Sequence, residues 1–549
     1  MSSRAGTQVK PRCSTPDAIP LLALVPPGVV MRGAMTPIAF AMLFLQGCSK
    51  EVDSKSTAIT VPSVATKADL EPQIRRFCGD CHAFPPPESF PRNNWAEEVN
   101  KGFSFFYDSS RPDKDVPPLQ ATIDYFQARA PKKLPLPVIA NLAPPSNGPE
   151  FERLDLSSLT AHGAPAVAHL ALVKAGVAKQ PGLIVSDMRS GEVRLWETGG
   201  PTTASMALAN LSHPAHVATT DLDADGINEL VVADLGSFLP DDHRLGKVWW
   251  LRPQAAGVPW QAVEFATGLS RVCDVEPTDI DGDGDVDLVV AEFGWRKSGR
   301  ILLLRNQGMK DSVPIMEVEV LDPRHGTIHV PVADLNGDGR PDFVALISQE
   351  HEVIEAFLNC GNGEWERQPI YAALDPSFGS SGIELVDLDA DGDLDVLYTN
   401  GDSFDSALIK PYHGVRWLEN KGTFPFTVHH ITAFPGAHRA LAADLDGDGD
   451  LDVVAVSLLP GPLADLKQPD SIPGVIWLEQ VSKDATSGEI QFLLHRIEGA
   501  TCNHAACALI DWNGDGAIDI IAGNYDWNSK EQPAITVYLN RLQQRPASQ

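Results

Sequence analysis

Beyond residue 150 the hydrophobic positions fall in short runs, and six of these runs are entered through an acidic loop. Leu230-Val231-Val232-Ala233, Leu288-Val289-Val290-Ala291 and Val453-Val454-Ala455-Val456 are too short for helices and are bounded by Gly and Asp. They therefore predict buried strands. The loop ahead of the first run, Asp221 to Glu229, returns in close variants that begin at Asp279, Asp334, Asp387, Asp444 and Asp511. The intervals are 58, 55, 53, 57 and 67 residues. A strand-rich unit repeated at this period means radial or stacked repetition.

A second strand type counts the units independently. It occurs at Gly191 to Trp196, Gly246 to Leu251, Gly299 to Leu304, Glu352 to Asn359, Gly414 to Asn420, Gly474 to Gln480 and Ile535 to Asn540, which makes seven units. The unit near 163–197 keeps its strands but lacks the acidic loop, so six loops are compatible with seven blades. A third strand type (Trp260 to Thr267, Thr427 to Phe434, Gln491 to Glu498) is missing from the last unit. An unpaired copy stands at the start, in Glu150 to Leu156. The first strand is therefore expected to complete the last blade, which removes open edges and locks the ring. The fold class that follows is mainly β, a seven-bladed β-propeller over 150–549.

Ahead of the propeller the period changes to helical. Three short helices are expected at Lys67 to Phe77, Arg92 to Tyr107 and Leu119 to Arg129, the last bounded by Pro117-Pro118 and Pro131. They make a small all-α domain over 67–135, flanked by linkers at 48–66 and 136–149. Residues 1–47 read as a signal peptide: Arg32 precedes a short apolar run at 36–45, which is too short to span a bilayer. Cys48 after Gly47 resembles a bacterial lipoprotein box, with lipidation at Cys48; the competing reading is an ordinary signal peptide with an incidental Cys. Met31 and Met35 are alternative starts. Either reading places the protein outside the cytoplasm, in the periplasm or at the outer membrane or cell surface, with a lipid anchor as the only membrane attachment.

Charge narrows the partners. Asp and Glu total 73 against 43 Lys and Arg, a formal net charge of −30, so nucleic acid is disfavoured and cations are favoured. Gly and Pro number 44 each, which suits a turn-rich β fold, and 8 Cys are too few for a disulfide scaffold.

Two of those Cys stand in Cys78-Gly79-Asp80-Cys81-His82. Thiols three apart can both add to the vinyl groups of one haem while the adjacent imidazole turns to the iron. A redox dithiol or half a zinc site would need a βαβ pattern or a partner Cys-x-x-Cys, and neither is present. The segment resembles a small monohaem cytochrome c domain, with Cys78, Cys81 and His82 binding one covalent haem c and His82 as iron ligand. Trp95, Phe103, Phe106, Tyr125 and Phe126 would wrap the porphyrin or form plain core. No Met lies between Met42 and Met188 and no His between His82 and His162, so the usual thioether ligand is missing. The iron is five-coordinate, or takes Tyr107, Lys101 or a His from the other domain.

The acidic repeats resemble the FG-GAP/VCBS repeats of integrin-α-type propellers, and the whole chain resembles bacterial exported lipoproteins that fuse such a propeller to a cytochrome c-like domain. The resemblance implies calcium in the loops, and the spacing agrees: carboxylates at positions 1, 3, 5 and 9 with Gly at 6 let nine residues wrap one hard cation. The ligands would be Asp221, Asp223, Asp225 and Glu229; Asp279, Asp281, Asp283 and Asp287; Asp334, Asn336, Asp338 and Asp342; Asp387, Asp389, Asp391 and Asp395; Asp444, Asp446, Asp448 and Asp452; and Asp511, Asn513, Asp515 and Asp519. An EF-hand needs Glu at position 12, where this chain has Val232, Val290, Ala345, Tyr398, Ala455 and Ala522. The six windows hold 25 of the 73 acids, so mutual repulsion favours up to six Ca2+; the alternative is a set of solvated, empty Asx turns.

Strands entering these loops begin near the channel of a propeller, and His216, Asp274, Glu276, His329, Glu384, His438 and Arg439 lie on them. They converge on a ligand or sit as satisfied strand residues, depending on a register that a one-residue slip would reverse. No nucleophile elbow, zinc-protease motif or phosphate loop is present, so no catalytic residue is assigned. Cys502 and Cys507 could form a local disulfide, although strand parity puts them on opposite faces unless a turn intervenes. The expected function is electron transfer, with the propeller as docking platform for a redox partner protein or a substrate. The rivals are a haem-linked oxidoreductase with its substrate in the channel, and a surface adhesion or sensory protein.

Overall fold

Each run of β-branched and aliphatic residues forms a strand buried on both faces. The strands Glu229–Asp234, Asp287–Glu292, Asp342–Ile347, Asp395–Asn400, Asp452–Ser457 and Asp519–Asn524 are buried at every position. This is the pattern of a strand with neighbours in its own sheet and sheets stacked on both sides. The computed structural model describes residues 70–109, 115–139, 151–156, 164–173, 182–198, 205–254, 258–460, 472–483, 490–499, 501–526 and 532–541. The expected signal peptide, the lipidation candidate Cys48 and the linker before residue 67 lie outside them. Among the described residues no helix is long and apolar enough to cross a membrane.

The strands form seven antiparallel sheets, the blades of a seven-bladed propeller. Six follow the chain order within the sheet. In the seventh, Phe151–Leu156 pairs with Ile535–Asn540, from Phe151 opposite Asn540 to Leu156 opposite Ile535, so the first strand closes the last blade as the repeat count predicts. Apolar clusters fill the spaces between adjacent sheets; one joins Val167, Leu183 and Trp196 of the first blade to Ile521, Ile535 and Val537 of the last.

The helical unit comprises α1 (Glu71–Cys78), α2 (Trp95–Asp108) and α3 (Leu119–Arg129). The first two begin later than their periodicity suggests. Residues 92–94 form a turn after Pro91, and Pro72 sits in the first turn of α1, where a missing N–H costs nothing. Ile74, Trp95, Val99, Phe103, Ile123 and Phe126 form the core of this unit. Glu71 ties α1 to α3 through Tyr125 Oη at 3.0 Å and Arg129 at 3.0 Å.

The helical unit rests on one particular face of the propeller. In six blades the innermost strand starts on that face and ends in the acidic loop on the other, because neighbouring strands alternate in direction. Ser89 donates to Asp375 Oδ2 at 2.5 Å, Lys410 Nζ donates to the Ser89 carbonyl at 2.5 Å, and Arg296 stacks over Phe105 at 4.7 Å. Asp375 precedes an innermost strand, and Arg296 and Lys410 lie in loops between the second and third strands. All are on the face where the innermost strands begin. The acidic loops are on the opposite face.

Candidate functional site

The seven innermost strands share a device that the sequence pattern does not reveal. Pairing with the second strand shifts by one residue between Val167 and His169, Pro214 and His216, Val272 and Asp274, Thr327 and His329, Ser380 and Gly382, Ala437 and Arg439, and His504 and Ala506. A bulge at one place in every blade re-aims the residue that follows it. The seven residues in that position are His169, His216, Asp274, His329, Gly382, Arg439 and Ala506.

Around the channel these residues touch in sequence. The His169 and His216 rings lie 4.0 Å apart, His216 Nδ1 is 2.9 Å from Asp274 Oδ1, His329 Nδ1 is 3.5 Å from Asp274 Oδ2, and Arg439 Nη1 is 3.4 Å from His329 Nε2. Arg439 crosses the fifth blade to do so, and Gly382 makes room: a Cβ there would stand 3.4 Å from Arg439 Cδ and 2.9 Å from the His438 carbonyl oxygen. Glu276, two residues beyond Asp274 on the same strand, has Oε1 3.8 Å from His216 Nε2. Glu384 accepts the Ala442 N–H at 2.8 Å, while His438 turns aside and its Nδ1 meets the Ala505 carbonyl at 2.9 Å. Of the seven polar residues on these strands, His216, Asp274, Glu276, His329 and Arg439 come together; Glu384 and His438 are held by backbone. His169 completes the ring and was legible only through the blade that lacks an acidic loop.

The electrostatics separate these groups. Burial pushes the Asp274 carboxyl up, but His216 and His329 outweigh it and hold the group well below the ordinary carboxylate range. Burial likewise opposes protonation of His216, and the Asp274 carboxylate reverses the balance and raises it. Burial, then the nearby Asp274 charge, lifts Glu276 to about 7; burial also lifts Glu384 to about 7 and lowers His438 to about 4. The cluster thus holds a fixed anion, a proton-accepting carboxylate and a guanidinium in one channel.

On the opposite face the acidic loops bring their carboxylates together. Asp221, Asp223, Asp225 and Glu229 place one oxygen each within 4.8 Å of one another, as do Asp279, Asp281 and Asp287, and Asp387, Asp389 and Asp395. The tight wrap depends on backbone in the left-handed region at positions 4 and 6. Gly226 and Gly392 have φ of 87° and 95°, and even Ala224 and Ala390 are held at 55° and 57°. Position 9 has a second task. Its buried carboxylate accepts the N–H of position 2 (Ile280 to Asp287 at 3.1 Å) and, in five loops, the N–H at the end of the third strand: Asn306, Asn359, Asn420, Gln480 or Asn540. The recurrence of Asn at those strand ends was the available signal. Burial raises the position-9 groups, Asp395 and Asp452 to about 7 and Asp287, Asp342 and Asp519 to about 6, and a cation beside them would favour their charged forms. The all-oxygen donor set fits a hard divalent ion.

In the helical unit, Cys78 ends α1 against the aromatic core, Cys81 is exposed, and neither is in a disulfide. His82 Nδ1 lies 2.7 Å from the Ala83 carbonyl, so Nδ1 carries the proton and Nε2 is left as the donor atom. That is the arrangement an iron-ligating imidazole needs. Trp95, Phe103, Tyr125 and Phe126 are core, with Trp95 and Phe126 stacked at 4.1 Å, while Phe106 packs edge-on to Phe77 at 5.0 Å. Among the expected distal ligands, Lys101 is paired with Glu97 and Glu98 at 3.1 and 3.0 Å, and Tyr107 is exposed. Cys502 and Cys507 are free, buried thiols, which settles the open question of a local disulfide between them; Cys507 lies within its inner strand and Cys502 before it, on either side of the bulge.

Residues 221–290, 279–345, 334–398 and 400–455 match the sequence profile described as FG-GAP-like repeat, so the propeller carries FG-GAP-like repeats. No curated protein matches the chain by sequence. Similar solved structures include the Bacillus licheniformis rhamnogalacturonan lyase PL11 (14% identity, 67% of this chain and 74% of that one, TM-score 0.35). Another is the Pseudomonas aeruginosa periplasmic gluconolactonase PpgL (15% identity, 64% of this chain and 97% of that one, TM-score 0.40). A Lactobacillus plantarum protein is similar at 13% identity over 64% of this chain and 98% of that one, with TM-score 0.40.

Proposed function

We propose that this repeat-bearing propeller is part of an exported electron-transfer protein, in which Cys78 and Cys81 hold one haem c and His82 ligates its iron. The observation that carries the reading is the His82 ring, whose Nδ1 is spent on the Ala83 carbonyl and whose Nε2 remains for a metal beside two thiols outside any disulfide. The haem, when bound, supplies one-electron chemistry. The chain orients the imidazole, packs Phe77, Cys78 and Phe84 against the core of the helical unit, and fixes that unit on the propeller through Lys410, Ser89 and Asp375. Up to six Ca2+ in the acidic loops would stiffen the platform. Export, with a lipid tether at Cys48, belongs to the same reading, because covalent haem attachment occurs outside the cytoplasm. The partner is a redox protein or a small substrate.

The test is expression in a host that matures c-type cytochromes, followed by haem staining on a denaturing gel and a visible spectrum. Covalent haem that is lost in Cys78→Ser/Cys81→Ser supports the reading, and colourless wild-type protein overturns it.

A second reading, a haem-linked oxidoreductase, is favoured by one placement: the His169-to-Arg439 ring and the helical unit lie on the same face of the propeller. Steady-state haem reduction by candidate sugars or alcohols, abolished in Arg439→Ala with haem retained, would select it over a passive carrier.

A further inference from the structure

Asp274 Oδ1 and His216 Nδ1 are sealed from solvent and lie 2.9 Å apart as an ion pair, and neither atom has a hydrogen bond to any other group. A buried ion pair offsets the cost of its desolvation only when its remaining lone pairs are also satisfied, and a cation shared by the two side chains would satisfy them. Two atoms bound to one cation at ~2.1 Å each and at a right angle stand ~3 Å apart, which is the separation seen here. Glu276 lies two residues further along the strand, so its side chain emerges on the same face as that of Asp274. One ligand atom from each of His216, Asp274 and Glu276 falls within 4.8 Å of the other two.

We propose that His216, Asp274 and Glu276 hold one divalent transition-metal ion in the channel. The surroundings orient these three residues. The Val330 N–H fixes the other Asp274 oxygen at 2.9 Å, His169 stacks on the His216 ring, and the His169 Nδ1 is itself held by the Val217 N–H at 3.2 Å. One imidazole and two carboxylates suit zinc, iron(II) or manganese, whereas calcium takes oxygen alone and has its own candidate loops on the opposite face. Three protein ligands leave coordination positions open. Arg439, on the same ring of residues, would meet an anionic group of whatever occupies them. The site is independent of the haem, since none of its residues belongs to the helical unit.

The experiment uses the full chain, stripped with chelator and then saturated with Ca2+ so that the loops are filled, and titrates it calorimetrically with Zn2+ and with Mn2+. One equivalent of at least one ion should bind, with affinity at least tenfold weaker in Asp274→Asn and His216→Gln and unchanged in the loop variant Asp444→Asn. Failure of the Ca2+-saturated wild type to bind either ion overturns the proposal, as does unchanged binding in both channel variants. Should those variants misfold, Glu276→Gln, at a side chain still 27% exposed to the channel, is expected to show the same tenfold loss. The Soret band of the same samples reports the haem separately, so loss of one assignment leaves the other standing.

Discussion

The ammonium of Lys410 lies 3.5 Å from the centre of the Phe90 ring, so a propeller loop reaches into the helical unit. The side chain is only 2% exposed; besides the ring it meets the Ser89 carbonyl and Ser377 Oγ, the latter at 3.2 Å. Burial lowers its pKa to about 8. A buried cation with three such contacts holds two otherwise separate cores in one orientation.

Lys410→Ala should therefore loosen the helical unit without unfolding the propeller. The lost contacts and the cavity correspond to ~2–4 kcal/mol at the junction. Limited proteolysis should release a fragment containing residues 70–139 several-fold faster than in wild type, while the main melting transition stays in place.

Chelation tests the acidic loops. Ions that bind only the folded ring stabilise it by mass action, ~2.7 kcal/mol for each site at a hundredfold excess over Kd. Excess EGTA should lower the melting temperature by many degrees, and Asp444→Asn should reduce that drop. An unchanged melting curve in EGTA would mean that the loops are empty turns.

Glu498 gives a pH signature. Burial pushes its carboxyl up, but His504 at 2.6 Å and Thr501 outweigh it and bring the group down to about 2. The unfolded carboxyl titrates near 4.5. Its contribution is thus complete above that value and fades as pH falls toward 2, where the folded state must also take up the proton. Glu498→Gln should cost ~2–3 kcal/mol at pH 7. The difference from wild type in denaturant midpoints should shrink steadily between pH 4.5 and 2.

Gly382→Ala probes the ring of channel residues. The added Cβ would stand 2.9 Å from the His438 carbonyl oxygen and 3.0 Å from Thr399 Oγ1, so the strand that carries Arg439 must shift to admit it. Overpacking of this kind costs ~1–3 kcal/mol, and thermal unfolding should register it. A fully wild-type melting curve would show that Arg439 does not need the space.

Much of the ring was legible because repetition multiplies a weak signal. A single Asp-x-Asp-x-Asp-Gly loop says little, but six at a near-constant spacing, with a spare strand at Phe151–Leu156, dictate the blade count and its closure. Helix Leu119–Arg129 was legible to the residue because prolines bound it. The channel site was not. Which of Cys273 or Asp274 faces the axis depends on a bulge, and a bulge is set by pairing with the second strand rather than by the residues themselves. His169 escaped notice for a related reason, since its blade lacks the acidic loop that marks the others. The double duty of Asp287 and its counterparts was hidden because their amide donors, such as Asn306, come from a strand some twenty residues on.

The seam between Phe151–Leu156 and Ile535–Asn540 sets an order of events. Asp155 and Thr536, whose side chains bond at 3.1 Å, are 381 positions apart. During synthesis the leading strand must therefore wait, its amides and carbonyls unmatched, until the final one emerges. A chain cut short before residue 535 would keep that edge bare and would tend to borrow a strand from a neighbour. Truncation from the far end should thus produce aggregation rather than a smaller stable ring.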